Sequence, residues 1–457
     1  MPAQGDDEAI PPAWGGSDRF VPTTFVQPVQ RFMRVEAAGA VVMLVAAVVA
    51  LAWANSAWRA GYASLWSTPA EVTAGFLHLE LSLREWVNDG AMALFFFLVA
   101  LEIKRELVLG ELREPRAAAL PALAALGGMV VPALIYLSFN VGTAASAGWG
   151  IPMATDIAFA VGVVSLLGSR VPTGAKLFLL VLAIVDDLGA IAVIAAFYTD
   201  RLSLRWLGFA LLTVAAAAWL QRSDVRSLVP YIVLGVVAWC ALQQSGVHAT
   251  LTGVAFGFVT PAAAFYPVDR FGEHARRLVA EVERSADDGH VDEGERDGNA
   301  LRDLVRLARE SESPLDRTVH GLAPWVSFGV VPLFALANAG VALSADAAVE
   351  ALSDRVFLGV VLGLLVGKPV GILLTTAAVC RLRLGSLPPR TTWFHMAGVS
   401  VCAAIGFTVA LFITALSFDD PGPSETAKMG VLAVSVVAGG LGWALLRLAP
   451  AKDEPPT

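Results

Sequence analysis

Between Lys176 and Asp200 the chain runs for 23 residues, Leu177 to Thr199, whose only charges are the adjacent Asp186 and Asp187 of AIVDDLGAI. A helix rises about 1.5 Å per residue, so such a run crosses the ~30 Å hydrocarbon core of a bilayer. Lipid offers the backbone no hydrogen bonds, which leaves only helices or closed barrels as spanning structures. A stretch this long and continuous is a helix. The two aspartates then need a reason to be there. Each costs about 2.5–3.5 kcal/mol at a bilayer centre on the translocon-insertion scale, and no packing role needs them. Successive helical residues point about 100° apart. One carboxylate can therefore line a cavity while the other meets a partner on a neighbouring helix.

Apolar stretches of spanning length recur near 37–54, 90–108, 117–139, 151–168, 176–198, 204–221, 228–243, 247–264, 324–343, 356–379, 393–418 and 426–448. The reading is an all-α membrane protein with twelve transmembrane helices. Only 16% of the residues are charged, against about 25% in soluble proteins. The net charge of −8 sits in tails and loops without a basic patch, so no nucleic-acid partner is expected. Cys240, Cys380 and Cys402 lie in or beside apolar runs without metal-like or redox spacing, and read as small hydrophobes. No cofactor is implied.

Lysine and arginine set the orientation. With the N-terminus in the cytoplasm, 25 of the 32 basic residues fall inside and six outside, Lys368 lying within a span. Both termini are then cytoplasmic. Residues 1–30 lack an apolar signal region and read as a disordered tail. Spans one to eight occupy 31–264, a long charged cytoplasmic loop 265–322, spans nine to twelve 323–448, and a second tail 449–457. The loop holds a possible amphipathic stretch, LRDLVRLARE. In FLHLELSLREW, 76–86, Leu77, Leu79, Leu81 and Leu83 alternate with His78, Glu80, Ser82 and Arg84. That is the period of a strand, and a lone strand needs a pairing partner.

The remaining charges inside spans are few. Lys368 stands deep in GVVLGLLVGKPVG, where Gly359, Gly363, Gly367 and Gly371 recur every four residues as a face for close packing. A lysine at that depth calls for a carboxylate partner. Asp156, in GWGIPMATDIAFAVG, follows Gly148, Gly150 and Pro152, which favour an interrupted helix. A half-helix N-terminus carries roughly +0.5 charge, and Asp156 or Thr155 beside it caps or neutralises it. The matching later feature is AGVSVCAAIGFTVALFITA, with unwinding expected near Ile405–Thr408. Glu102, Lys104, Arg105 and Glu106, in ALEIKREL, close the second span at its cytoplasmic end. They form either a solvated helix end or a cation-attracting mouth. Asp89, at the other end, reads as a helix start.

VALEIKREL, TDIAFAVG, SRVP, AIVDDLGAI, SGVHATLTGV, PLFALANAGV, VGKPVGI and IGFTVALFI, in this order and on these spans, resemble the NhaA family of bacterial sodium/proton antiporters. The resemblance covers residues 31–264 and 318–448. It implies that family's inverted-repeat architecture, with the fourth and eleventh spans interrupted and crossing. It further implies that Asp186 and Asp187 bind the cation and the protons, with Lys368 pairing the first. Asp156 with Thr155 resembles the fourth-span site that offsets the facing half-helices. Glu102, Arg105 and Glu106 resemble the family's pH-responsive cytoplasmic cluster. Members often carry a Glu and two His before the PW dipeptide of the ninth span. Here TVHGLAPW keeps His320 alone, so only part of that cluster is present.

The expectation is an electrogenic antiporter in a bacterial inner membrane, extruding Na+ or Li+ against up to two protons on its two carboxylates. It contacts membrane lipid and forms a homodimer through 76–84. Two rivals differ in class. An intramembrane aspartyl protease needs a Gly-x-Gly-Asp setting that AIVDDLG lacks, and its dyad has no use for Lys368. An organic-anion symporter of the same fold is the other. Sodium-driven collapse of a pH gradient in everted vesicles separates all three.

Overall fold

The computed structural model describes residues 38–74, 77–199, 202–223, 225, 227–264, 266, 271–280, 294–344 and 349–450. The expected tail 1–30, Phe76, part of the loop 265–322 and residues 451–457 lie outside these. The principal helices are α1 (Ala38–Ala54), α2 (Arg59–Ser67), α3 (Met92–Val108), α4 (Pro115–Asn140), α5 (Ile157–Ser165), α6 (Thr173–Phe197), α7 (Leu204–Arg222), α8 (Leu228–Gln243) and α9 (Leu251–Val259). They continue with α10 (Gly294–Ser311), α11 (Pro314–Trp325), α12 (Val331–Asn338), α13 (Arg355–Leu362), α14 (Lys368–Arg381), α15 (Trp393–Ala403), α16 (Phe407–Ser417) and α17 (Pro421–Leu448). Strands β1 (Pro69–Ala74) and β2 (Leu77–Ser82) pair antiparallel.

Among the described residues, seven helical stretches are long and apolar enough to cross a membrane, or up to nine if each of two bent pairs is one span. The pairs are α1 with α2, bent by 114°, and α15 with α16, bent by 43°. The first bend has a local cause. Asn55 donates to the Leu51 carbonyl at 2.8 Å and to Val341 O at 2.8 Å, closing the end of α1 and tying it to the segment after α12. π-helical turns at Trp86–Ala91, Val326–Val330 and Gly363–Gly367 run directly into α3, α12 and α14.

Outward faces are apolar, as lipid requires. Val45, Val48 and Val49 of α1 are exposed, as are Leu211, Leu212 and Trp219 of α7. Inward faces rely on small residues. A methyl group at Gly363 would approach Pro152 to 2.8 Å, and one at Gly371 would run into the Gly127 carbonyl. The four-residue glycine repeat thus faces α4 and the stretch before α5, and brings Lys368 against both. Lys368 is itself among the largest fully buried side chains.

The alternating stretch is β2, and its partner is in the same chain. Val72 stands opposite Leu79, and Glu71 opposite Glu80. Leu79 is buried, while Ser82 ends the strand by capping the next helix with Glu85 in a reciprocal capping box.

Candidate functional site

The site begins with two helices that stop short. After the 3-10 stretch Ala144–Met153, residues 154–156 are extended and α5 starts at Ile157. The first turn of a helix leaves backbone N–H groups without acceptors. Asp156 meets this need for two helices at once. Its Oδ1 accepts from Phe159 N–H at 3.0 Å, in its own α5. Its Oδ2 accepts from Thr408 N–H at 3.1 Å and Thr408 Oγ1 at 2.7 Å, at the start of α16. The reverse exchange serves the end of α15. Asp156 N–H donates to Ile405 O at 2.7 Å, and Thr155 Oγ1 donates to Ala403 O at 2.9 Å. Each break thus supplies the groups the other lacks, and a carboxylate sits where two positive helix ends converge.

Beside this junction, Lys368 Nζ donates to Asp186 Oδ2 at 2.5 Å and to the Met153 carbonyl. Neither side chain of the ion pair is exposed. Three segments therefore meet at one ammonium: the middle of α6, the start of α14 and the last residue of the 3-10 stretch. Pairing alone does not complete the site. Asp186 Oδ1 and Asp187 Oδ1 are both buried with no hydrogen-bond partner among the described residues. Buried carboxylate oxygens without donors are costly, and they are ready ligands for a small hard cation or a proton. Asp187 lies within electrostatic reach of Asp186, Asp156, Lys368 and also Glu102.

Glu102 is half-buried on α3, and its neighbours turn the other way. Lys104 Nζ donates to the Phe258 and Thr260 carbonyls at 2.7 and 2.6 Å, closing the end of α9. Arg105 Nε lies 3.3 Å from Asp316 Oδ1 on α11. His320 of that helix faces Glu312 at 3.3 Å. Arg105 of α3 and His320 of α11 thus engage different carboxylates, Asp316 within α11 and Glu312 just before it. Asp89 accepts from Gln243 at 3.0 Å, and its carbonyl from the Trp239 indole at 2.9 Å, both structural contacts.

Two groups at the site are ones the sequence reading does not single out. Thr408 sits inside the expected unwinding, and the need of Asp156 for donors was its available signal. The Met153 carbonyl carries no side-chain signal at all.

A family model described as Na+/H+ antiporter 1 matches residues 30–446. The chain is 44% identical over 440 residues to "Na(+)/H(+) antiporter NhaA 2" of Sorangium cellulosum, covering 96% of this chain and 93% of that one. To "Na(+)/H(+) antiporter NhaA" of Oleidesulfovibrio alaskensis it is 45% identical over 430 residues, 94% and 95% of the two chains. To the protein of the same name from an Anaeromyxobacter species it is 46% identical over 426 residues, 93% and 92% of the two.

Proposed function

Since this chain belongs to the Na+/H+ antiporter 1 family and exchanges sodium for protons, we propose that Asp186 and Asp187 are the groups both ions share. The orphaned buried oxygen on each aspartate carries this reading. Na+ prefers oxygen ligands, and Li+ is a still smaller cation of the same kind. Lys368 balances Asp186, while Asp156 and Thr155 hold the neighbouring helix ends in place. Two carboxylates can release two protons for one Na+, which makes the exchange electrogenic. Glu102, Arg105, Glu106 and His320 form the cytoplasmic mouth and modulate the response to pH.

The same proposal extends to architecture. With each bent pair taken as one span, nine stretches cross; α3, α8 and α9 also cross, which gives twelve spans built as inverted repeats. The α5 and α16 regions belong to the interrupted fourth and eleventh. Both termini and residues 265–322 lie in the cytoplasm of a bacterial inner membrane. The open edge of the hairpin joins two copies into a homodimer through 76–84 by strand addition.

Competition for shared oxygens has a kinetic signature. Acid raises the apparent KM for Na+ by up to about tenfold per pH unit per competing proton, and saturating Na+ restores the rate. The test is a sodium titration at several pH values in everted vesicles. Rising KM with a constant maximal rate is expected. A maximal rate that collapses in acid despite excess Na+ would refute direct competition.

A further inference from the structure

A 3-10 helix joins the N–H of each residue to the carbonyl three positions earlier. In the stretch Ala144–Met153 a regular 3-10 turn would pair Gly150 N–H with Ala147 O. The Tyr198 hydroxyl lies across that same pair. It donates to Ala147 O at 2.7 Å and accepts from Gly150 N–H at 3.3 Å. Tyr198 follows the last residue of α6 and is buried. A second hydroxyl holds the start of the stretch: Tyr136 of α4, fully buried, donates to Ala145 O at 2.8 Å.

Both phenols rest on glycines. A methyl group on Gly150 would sit 2.8 Å from the Tyr198 hydroxyl oxygen, with Tyr198 Cε2 next at 3.4 Å. One on Gly148 would sit 2.5 Å from the Tyr136 oxygen and 2.6 Å from Phe418 Cζ. The hydroxyls therefore bear on the backbone itself, where a displacement travels along the chain rather than being absorbed by a side chain.

The far end of this short stretch is the ion site. Met153 O receives Lys368, and Thr155 and Asp156 follow at once. Tyr198 caps the end of the helix that carries Asp186 and Asp187, about 16 Å beyond them at a rise of about 1.5 Å per residue. The helix and its cap thus hold both the aspartates and the clamp on the segment that faces them.

We propose that Tyr198, backed by Tyr136, is a positioning residue for cation binding. Its hydroxyl sets the register of the 3-10 segment against α6, so that Met153 O, Thr155 and Asp156 meet the aspartates in the geometry Na+ binding needs. This rests on the reading of those residues as the ion site. Without the hydroxyl, Ala147 O and Gly150 N–H can serve each other directly, so the fold persists while the register loosens.

The experiment is a sodium titration in everted vesicles of Tyr198→Phe, Gly150→Ala and the double variant, with Asp187→Asn alongside. Tyr198→Phe keeps the ring. It should raise the apparent KM for Na+ about three- to tenfold, with the maximal rate within about twofold and the melting temperature unchanged. A change confined to KM marks lost binding geometry rather than damaged transport. Gly150→Ala should raise KM by pressing on the hydroxyl. Adding Tyr198→Phe removes the atom it presses on, so the double variant should recover part of that loss. An unaltered KM in folded Tyr198→Phe overturns the proposal. If that variant fails to fold, an unaltered KM in Gly150→Ala does the same; where it folds, no recovery in the double does so too. Ordinary exchange by Asp187→Asn would instead condemn the ion site itself. Its inactivity beside an unaltered Tyr198→Phe condemns the clamp alone.

Discussion

Asp186 and Lys368 form an ion pair with neither side chain exposed, whereas Arg105 and Asp316 meet at 3.3 Å with side chains 45% and 24% exposed. The chemistry is the same and the surroundings are opposite. At the exposed pair, water solvates both partners whether or not they touch, and such pairs contribute about 0–1 kcal/mol. In the bundle, removing one partner leaves the other uncompensated in a medium that cannot solvate it. The buried pair therefore acts as a unit, in which displacing one charge forces another to move or be neutralised. That coupling is what an exchanger needs. The exposed pair can rearrange at little cost, which suits adjustment rather than exchange.

The sharpest break in this comparison is Asp187→Asn. The substitution keeps the shape and removes the charge from a carboxylate whose Oδ1 has no donor among the described residues. Exchange should vanish while the protein still folds and inserts. Vesicles of this variant that still dissipate a pH gradient on sodium addition would remove Asp187 from the site. Asp186→Asn should differ by also losing stability. Lys368 loses its counter-charge and keeps neutral acceptors such as the Met153 carbonyl, and breaking a buried pair costs about 3–5 kcal/mol. Thermal unfolding in detergent should show a clear loss for Asp186→Asn and little for Asp187→Asn. Equal melting curves would mean that the pair is not the structural unit drawn here.

The contrast also explains what was legible beforehand. Asp186, Asp187, Asp156 and Lys368 stood out because charge inside an apolar run is rare and expensive. The glycine repeat around Lys368 was legible because close helix packing selects small residues at helical spacing. The partners were not. Thr408 lies 252 positions from Asp156, and the Met153 and Ala147 carbonyls belong to the backbone, which every sequence shares. β1 was hidden for another reason: PAEVTA opens on proline and does not alternate strictly, so it carries less pattern than LHLELS of β2, a strand of the same length that pairs with it. At the mouth, the charges of ALEIKREL were visible, but a solvated end can choose among many partners. Nothing local pointed Arg105 to Asp316 or His320 to Glu312.

A smaller effect probes the junction of the two helix breaks. Thr408→Val removes the hydroxyl from Asp156 Oδ2 and leaves the backbone N–H in place. A hydrogen bond to a charged group is worth about 1.5–3 kcal/mol, so stability should fall by less than in Asp186→Asn. The apparent KM for Na+ should rise, because the neighbouring helix ends are less firmly tied. Thr408→Ser, which keeps the hydroxyl, should restore both. A serine variant as impaired as the valine one would show that the methyl group, and not the hydrogen bond, matters at this position.

The smallest effect belongs to the mouth and tests the comparison from its other side. Arg105→Ala removes the pair with Asp316. Asp316 keeps the Ser313 hydroxyl at 2.7 Å, and its own N–H still bonds Ser313 Oγ at 3.0 Å. The carboxylate therefore stays satisfied at the start of α11, and water reaches it. Stability should change by no more than about 1 kcal/mol. The small loss should also shrink as salt is raised, because exposed charges are screened within about 8–10 Å at ordinary ionic strength. The buried pair should show no such dependence. Melting Arg105→Ala and Asp186→Asn beside the parent protein at low and high salt therefore separates the two regions in one experiment. A loss in Arg105→Ala that is large and indifferent to salt would show that the mouth is as tightly coupled as the core. The division of labour between them would then fall.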